Sequence, residues 1–162
     1  MLAKTEQDQI VNLVKKEVVP AIGCTEPVAV SLCVAKAREI LGRKPNKIRV
    51  LLSANILKNA MGVGIPGTKM VGLPIAVALG ALIGKSEYGL QVLKELTSED
   101  VEAGKQHIAG KPIDTPPTDD TDATLYTQTP SPAHPDASVA APTRYHTNIT
   151  LLSRNRDTLT TR

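Results

Sequence analysis

Cys24 stands in Gly23-Cys-Thr-Glu-Pro27, directly before a stretch with the marks of a helix N-terminus. Thr25 reads as the N-cap, and Glu26 and Pro27 fill the first turn. Val28, Leu32, Ala35 and Ile40 then keep apolar spacing up to a stop at Gly42. A thiol in that place faces unsatisfied amides and the positive end of the helix dipole, which favour thiolate, the form that binds metal. The competing reading is a small residue buried in a turn. Cys33, in the middle of the same helix among apolar neighbours, reads as core.

Lys58 and Asn59 lie in polar surroundings beside a glycine-rich stretch, where an ammonium and an amide could hold a substrate carboxylate; most such lysines are simply solvated. His107 and His134 read as exposed. His146, flanked by Tyr145 and Thr147-Asn148, could be oriented by them for acid-base work, although a structural role is as common for such a residue. Gly62-Val-Gly-Ile-Pro-Gly67 satisfies the spacing of a dinucleotide fingerprint, but no convincing strand precedes it and Pro66 removes an amide donor. The ending Thr68-Lys69 reverses the order that a P-loop needs.

Elements must be found to position these groups. A first helix is expected over Ile10–Val19, stopped by Pro20. Ile48–Leu52 is β-branched and apolar and reads as a strand. Asn55–Met70, with its glycines and Pro66, reads as a loop in which backbone approaches something closely. Leu73–Ile83 is apolar on every face and should be a buried helix. Ser86 should cap a helix through Leu96, and Ser98 another ending near Gly110. Residues 1–110 thus read as an orderly α-rich α/β unit. In 111–162 the composition changes: seven of the 12 prolines lie between Pro112 and Pro142, threonines are scattered among them, and a poorly ordered Pro/Thr-rich segment is expected. Val139–Ala141 and Ile149–Leu152 retain strand character.

The composition narrows the function. A formal charge of +3, with no basic cluster and no aromatic stripe, gives no indication of a nucleic-acid partner. The longest apolar run, Val71–Gly84, has 14 residues and falls short of the roughly 20 needed to span a membrane. No signal peptide is visible, so the cytoplasm is expected, with both cysteines as thiols or ligands.

Gly23-Cys-Thr-Glu-Pro27, Lys58-Asn59, Gly62-Val-Gly-Ile-Pro-Gly67 and Gly72-Leu-Pro-Ile-Ala-Val-Ala-Leu-Gly80 together resemble the L-cysteine desulfidase family. That family is related to the iron-sulfur L-serine dehydratases through the serine dehydratase alpha-chain domain. The resemblance covers residues 10–110 and continues faintly through Asp119–Tyr126 and His146-Thr-Asn-Ile149, as if truncated and degraded after about residue 110. It implies the N-terminal portion of a serine dehydratase alpha-chain-like fold and a carbon-sulfur lyase that turns L-cysteine into sulfide, ammonia and pyruvate. It also implies a 4Fe-4S cluster held by three cysteines, with Cys24 as the first ligand and the other two outside this chain. Lys58 and Asn59 are then substrate-binding groups and His146 a candidate acid or base, with a small amino acid as substrate and a homo-oligomer left open. L-serine dehydration, a non-catalytic remnant and a nucleotide-binding module using residues 62–69 are the alternatives.

Overall fold

A computed structural model describes residues 2–18, 21–45, 47–110, 113–118, 125–128, 138–142, 149–154 and 157–161. The chain is a helix-rich α/β protein, as its sequence leads one to expect. Helix α1 spans Lys4–Glu17 and α2 Thr25–Leu41; strand β1 is Ile48–Ser53. Helix α3, Ala54–Met61, leads into a two-stranded hairpin of β2, Gly64–Ile65, and β3, Met70–Val71. Helix α4 covers Leu73–Leu82 and α5 Ser98–Gly110, with a 3-10 segment at Ser86–Gln91 between them. The remaining strands are β4 (Ile113–Asp114), β5 (Pro117–Thr118), β6 (Leu125–Gln128), β7 (Ser138–Pro142), β8 (Ile149–Arg154) and β9 (Asp157–Thr161).

Among the described residues, seven strands form one sheet in the order β4-β1-β6-β7-β8-β9, with β5 also on β1. β4 and β5 run parallel to β1 on one flank, Ile48 opposite Ile113 and Leu52 opposite Pro117. From β1 through β9 the remaining neighbours are antiparallel. The stretches Val139–Ala141 and Ile149–Leu152 do lie in strands, and Pro142 is accommodated at a register shift where β7 meets β8. Strands from both sides of residue 110 therefore build the same sheet.

Helix α2 packs against β6, β7 and β8 and against α4. One group of buried side chains joins Val30, Cys33 and Val34 of α2 to Val50 and Leu52 of β1 and to Val77 of α4. A second joins Val28 and Leu32 of α2 to Ile75 and Leu79 of α4 and to Leu90 beyond it. Helix α4 is buried on all sides, which its uniformly apolar sequence requires. The two helices approach so closely that a Cβ on Gly80 would lie 2.6 Å from the Ser31 carbonyl oxygen. The Ser31 hydroxyl donates to the Ala76 carbonyl at 2.7 Å and to the Pro27 carbonyl at 3.2 Å.

Several elements differ from the sequence expectations. Residues 55–70 are not one loop, because the Ser53 hydroxyl accepts from the Ile56 amide and starts α3, whose Ile56 and Ala60 are buried one turn apart. The helix expected over 86–96 is interrupted at Gly89, whose φ of 53° and ψ of −129° are not helical. Thr97, not Ser98, caps α5: its hydroxyl accepts from the Asp100 amide while the Asp100 carboxylate accepts from the Thr97 amide. His107 is buried instead of exposed, since it shares the inner face of α5 with Val101 and Gly104, and that face packs on α4. The stop expected at Pro20 lies outside the described residues.

Helix α1 has no buried residue, and Ile10, Val11, Leu13 and Val14 are each about half exposed. A helix of 14 residues without packing is only marginally stable in water. Its amides should exchange with solvent at least about tenfold faster than those of α4, as measured by hydrogen-exchange mass spectrometry. Gly80→Ala should cost about 1–3 kcal/mol in urea denaturation, since the added methyl meets backbone that cannot yield without parting α2 from α4.

Candidate functional site

Cys24 is itself the N-cap of α2, with extended backbone at φ −68° and ψ 135°. Thr25, expected in that role, is the first helical residue. The thiol is thus placed at the positive end of a 17-residue helix, half-buried, where the first amides have no partners within the helix. It does not face those amides alone. The Cys24 thiol donates to the Glu26 carboxylate at 2.8 Å, and the Thr25 hydroxyl reaches the same oxygen at 3.3 Å.

This carboxylate reverses the expected electrostatics. Its hydrogen bond to the thiol, helped by partial burial and by its negative charge, pushes the Cys24 pKa above that of an ordinary thiol, although the Glu26 and Thr25 amides pull the other way. The helix N-terminus alone would have favoured thiolate; a neighbouring carboxylate that accepts from S–H favours the neutral form. Cys33 sits in the core as expected, and burial alone pushes its thiol far up.

The turn before α2 is held from two sides. The Ile22 amide donates to the Leu90 carbonyl at 3.4 Å, and Gly23 adopts φ 83°, a left-handed conformation that suits glycine. A Cβ on Gly23 would lie 2.6 Å from Cγ of Pro66, so the turn carrying Cys24 lies directly against the tip of the β2–β3 hairpin. That tip is rigidly built. The Thr68 hydroxyl donates to the Ile65 carbonyl at 2.7 Å and accepts from the Met70 amide at 2.9 Å. The hairpin is closed at its base by the Gly72 amide on the Val63 carbonyl, and there Gly72 adopts φ 95° with its Cβ position 3.0 Å from the Met61 carbonyl oxygen, a conformation that suits glycine.

The structure therefore joins two of the stretches singled out in the sequence, Gly23–Pro27 and Gly62–Gly67, through a contact between Gly23 and Pro66. Lys58 and Asn59 lie exposed on the last turns of α3, the helix that runs through Gly62 into this hairpin. His146, the candidate acid or base, falls outside the described residues, as does His134. Gly62–Gly67 follows a helix and enters a hairpin, which differs from the strand-turn-helix setting of a dinucleotide fingerprint. Sequence reasoning missed Pro66 as the partner of Gly23, which is a long-range contact. It also missed Glu26 as the partner of Cys24, although its place two residues into the helix could have suggested the reach.

As candidate ligands, the cysteines are two in number, and one of them is enclosed in the core. Among the described residues no three His, Cys, Asp or Glu side chains are grouped as a metal site. The chain thus offers Cys24 as a single accessible thiol, which does not fit a 4Fe-4S cluster held by this chain alone.

The fold and site define a helix-rich α/β protein whose one accessible cysteine caps a helix, next to a glycine that contacts a glycine-proline hairpin. Its relatives share a name. The chain is 72% identical over 112 residues to a UPF0597 protein of Bacteroides thetaiotaomicron, a match covering 69% of this chain and 26% of the relative. It is 54% identical over 159 residues to a UPF0597 protein of Phocaeicola vulgatus, covering 98% of this chain and 37% of that one. With a UPF0597 protein of Parabacteroides distasonis the identity is 57% over 152 residues, covering 94% and 35%. The chain spans about a third of the length of these curated relatives or less. No family model and no solved structure matches it. The resemblance to the L-cysteine desulfidase family, and with it the serine dehydratase alpha-chain-like assignment, is therefore corrected: the relatives are UPF0597 proteins, and none of these three carries either of those names.

In the metal-free chain, Cys24 should react with iodoacetamide only at higher pH than a cysteine in a short peptide, because its pKa is raised. Glu26→Gln should move the pH profile of that reaction downward, since the carboxylate is the largest cause of the shift. Cys33 should stay unreacted until the protein unfolds, and mass spectrometry of the alkylated peptides separates the two.

Proposed function

We propose that this chain forms part of the site of an iron-sulfur-dependent lyase acting on a small amino acid. The observation that carries this reading is Cys24 at the N-cap of α2, one residue beyond the contact of Gly23 with Pro66. The oriented amides of a helix N-terminus stabilise an anionic metal cluster, and the Glu26 carboxylate, which favours the neutral thiol, would have to release Cys24 for metal to bind. Cys24 supplies one ligand, and the others come from residues outside this chain. This geometry supports the ligand role of Cys24.

The reaction proposed is elimination from L-cysteine. The α-proton is removed, the carbon-sulfur bond breaks with its electron pair leaving on sulfide, and the resulting aminoacrylate is hydrolysed to pyruvate and ammonia. L-serine would follow the same course with water leaving. Lys58 and Asn59, exposed beside the hairpin, are suited to hold the substrate carboxylate, the ammonium by charge and the amide by hydrogen bonding. The setting proposed is the cytoplasm, where two unpaired thiols and an oxygen-sensitive cluster remain reduced. No helix among the described residues is long and apolar enough to cross a membrane.

Two measurements test this. The 162-residue chain, reconstituted anaerobically with iron and sulfide, should hold less than one cluster and form no pyruvate from L-cysteine or L-serine. A chimera in which the matched 112 residues of this chain replace those of the Bacteroides thetaiotaomicron relative should bind iron and sulfide and release pyruvate. Cys24→Ser in the chimera should abolish both, whereas Cys33→Ala should mainly lower stability. A chimera that takes up no cluster, or one whose cluster survives Cys24→Ser, would overturn the reading.

A further inference from the structure

Helix α1 presents an apolar stripe that the described residues leave uncovered. Ile10, Val11, Leu13 and Val14 recur at helical spacing, Val18 continues them at the C-cap, and each is about half exposed or more. Thr5, Asp8, Asn12 and Lys16 hold the opposite face. Fourteen residues are only marginally stable as a helix in water, so a two-sided helix of this length draws its stability from whatever packs on its apolar side.

Size and charge decide between the occupants. Helices that lie on membranes concentrate Lys and Arg on their polar face, whereas α1 carries three acidic and three basic residues. A second copy of the chain would find too little to hold: a 14-residue helix is about 21 Å long and roughly 10 Å across, so pairing through α1 alone falls short of the about 800 Å² per partner of a stable interface. Packing within one polypeptide meets no such demand, because the partner surface is held at high effective concentration. The relatives possess such a polypeptide. The match to the Phocaeicola vulgatus protein takes in 159 residues, which is 98% of this chain and with it α1, but only 37% of that relative.

We infer that the apolar stripe of α1 docks onto the polypeptide that the UPF0597 relatives carry beyond the stretch shared with this chain. Ile10, Leu13 and Val14 are then core residues of the longer protein, and the interface lies within a single chain.

The test compares the 162-residue chain with a chimera in which its matched 159 residues replace those of the Phocaeicola vulgatus relative. By hydrogen-exchange mass spectrometry the α1 amides should exchange at least about tenfold more slowly in the chimera than in the chain, at every protein concentration. Ile10→Ser combined with Val14→Ser should leave the urea midpoint of the chain unchanged, because both side chains are exposed there, and lower that of the chimera. Leu13→Ala should do the same to a smaller extent, whereas Lys16→Gln on the opposite face should move neither midpoint. These readouts are independent of any lyase activity, so a chimera that holds no cluster can still support the docking. The inference is overturned if α1 exchanges as fast in the chimera as in the chain, or if the serine pair lowers both midpoints equally. It is overturned too if α1 is protected in the chain alone and more so at higher concentration, which would make a second copy the occupant.

Discussion

The close approach of α2 and α4 is the constraint on which the rest of the structure depends. At Gly80 the two helices are separated by less than a side chain, and Ser31 fastens them with a hydroxyl bonded to the Ala76 carbonyl. Further along, a Cβ on Gly84 would lie 2.9 Å from Cβ of Ala35, so the contact continues with small residues for another turn. Both buried groups of side chains contain residues from each of these helices. Parting them would expose both groups at once.

The contact also decides where the chemistry stands. Helix α4 begins where the β2–β3 hairpin ends, so fixing α4 against α2 brings the hairpin tip over the start of α2 and presses Pro66 onto Gly23. Cys24 thus stands at a helix N-terminus, and its neighbour Gly23 rests against the turn. Within that frame the local charge is set by Glu26, two residues into the helix. The helix dipole acts over a whole turn and is partly met by solvent, whereas a carboxylate 2.8 Å from sulfur acts directly, and the nearer group prevails.

How much of this could be read in the sequence depended on how local its cause was. The buried helix at Leu73–Leu82, the strand at Ile48–Ser53 and the enclosed Cys33 were all legible, because apolar character on every face or unbroken β-branching admits few alternatives. The caps at Cys24 and Thr97 each fall one residue before the expected position, since neighbouring polar residues compete for the same amides. Helix α3 was hidden by the glycines that follow it: eight residues with two buried positions give too short a period to outweigh them. His107 was misjudged from the polarity of its helix, although only one narrow face of that helix meets α4. Of the candidate site, the cysteine and the glycine loop were visible, but their contact was not, because 43 residues separate Gly23 from Pro66 and no local pattern encodes the meeting.

The two flanks of the sheet are unequal. On one, β4 and β5 are two residues each, interrupted at Thr115 and Pro116, and Pro117 has no amide to offer. A further chain segment would find no continuous ladder there. On the other, β9 spans Asp157–Thr161 and pairs with β8 alone among the described strands, with a register shift that leaves Leu159 without a partner in the ladder. Its outer amides and carbonyls form a template of the kind through which sheets recruit strands from other chains. Among the described strands, a segment added to this sheet would therefore meet a proline and an interruption on the β4–β5 flank and a bulged strand at β9.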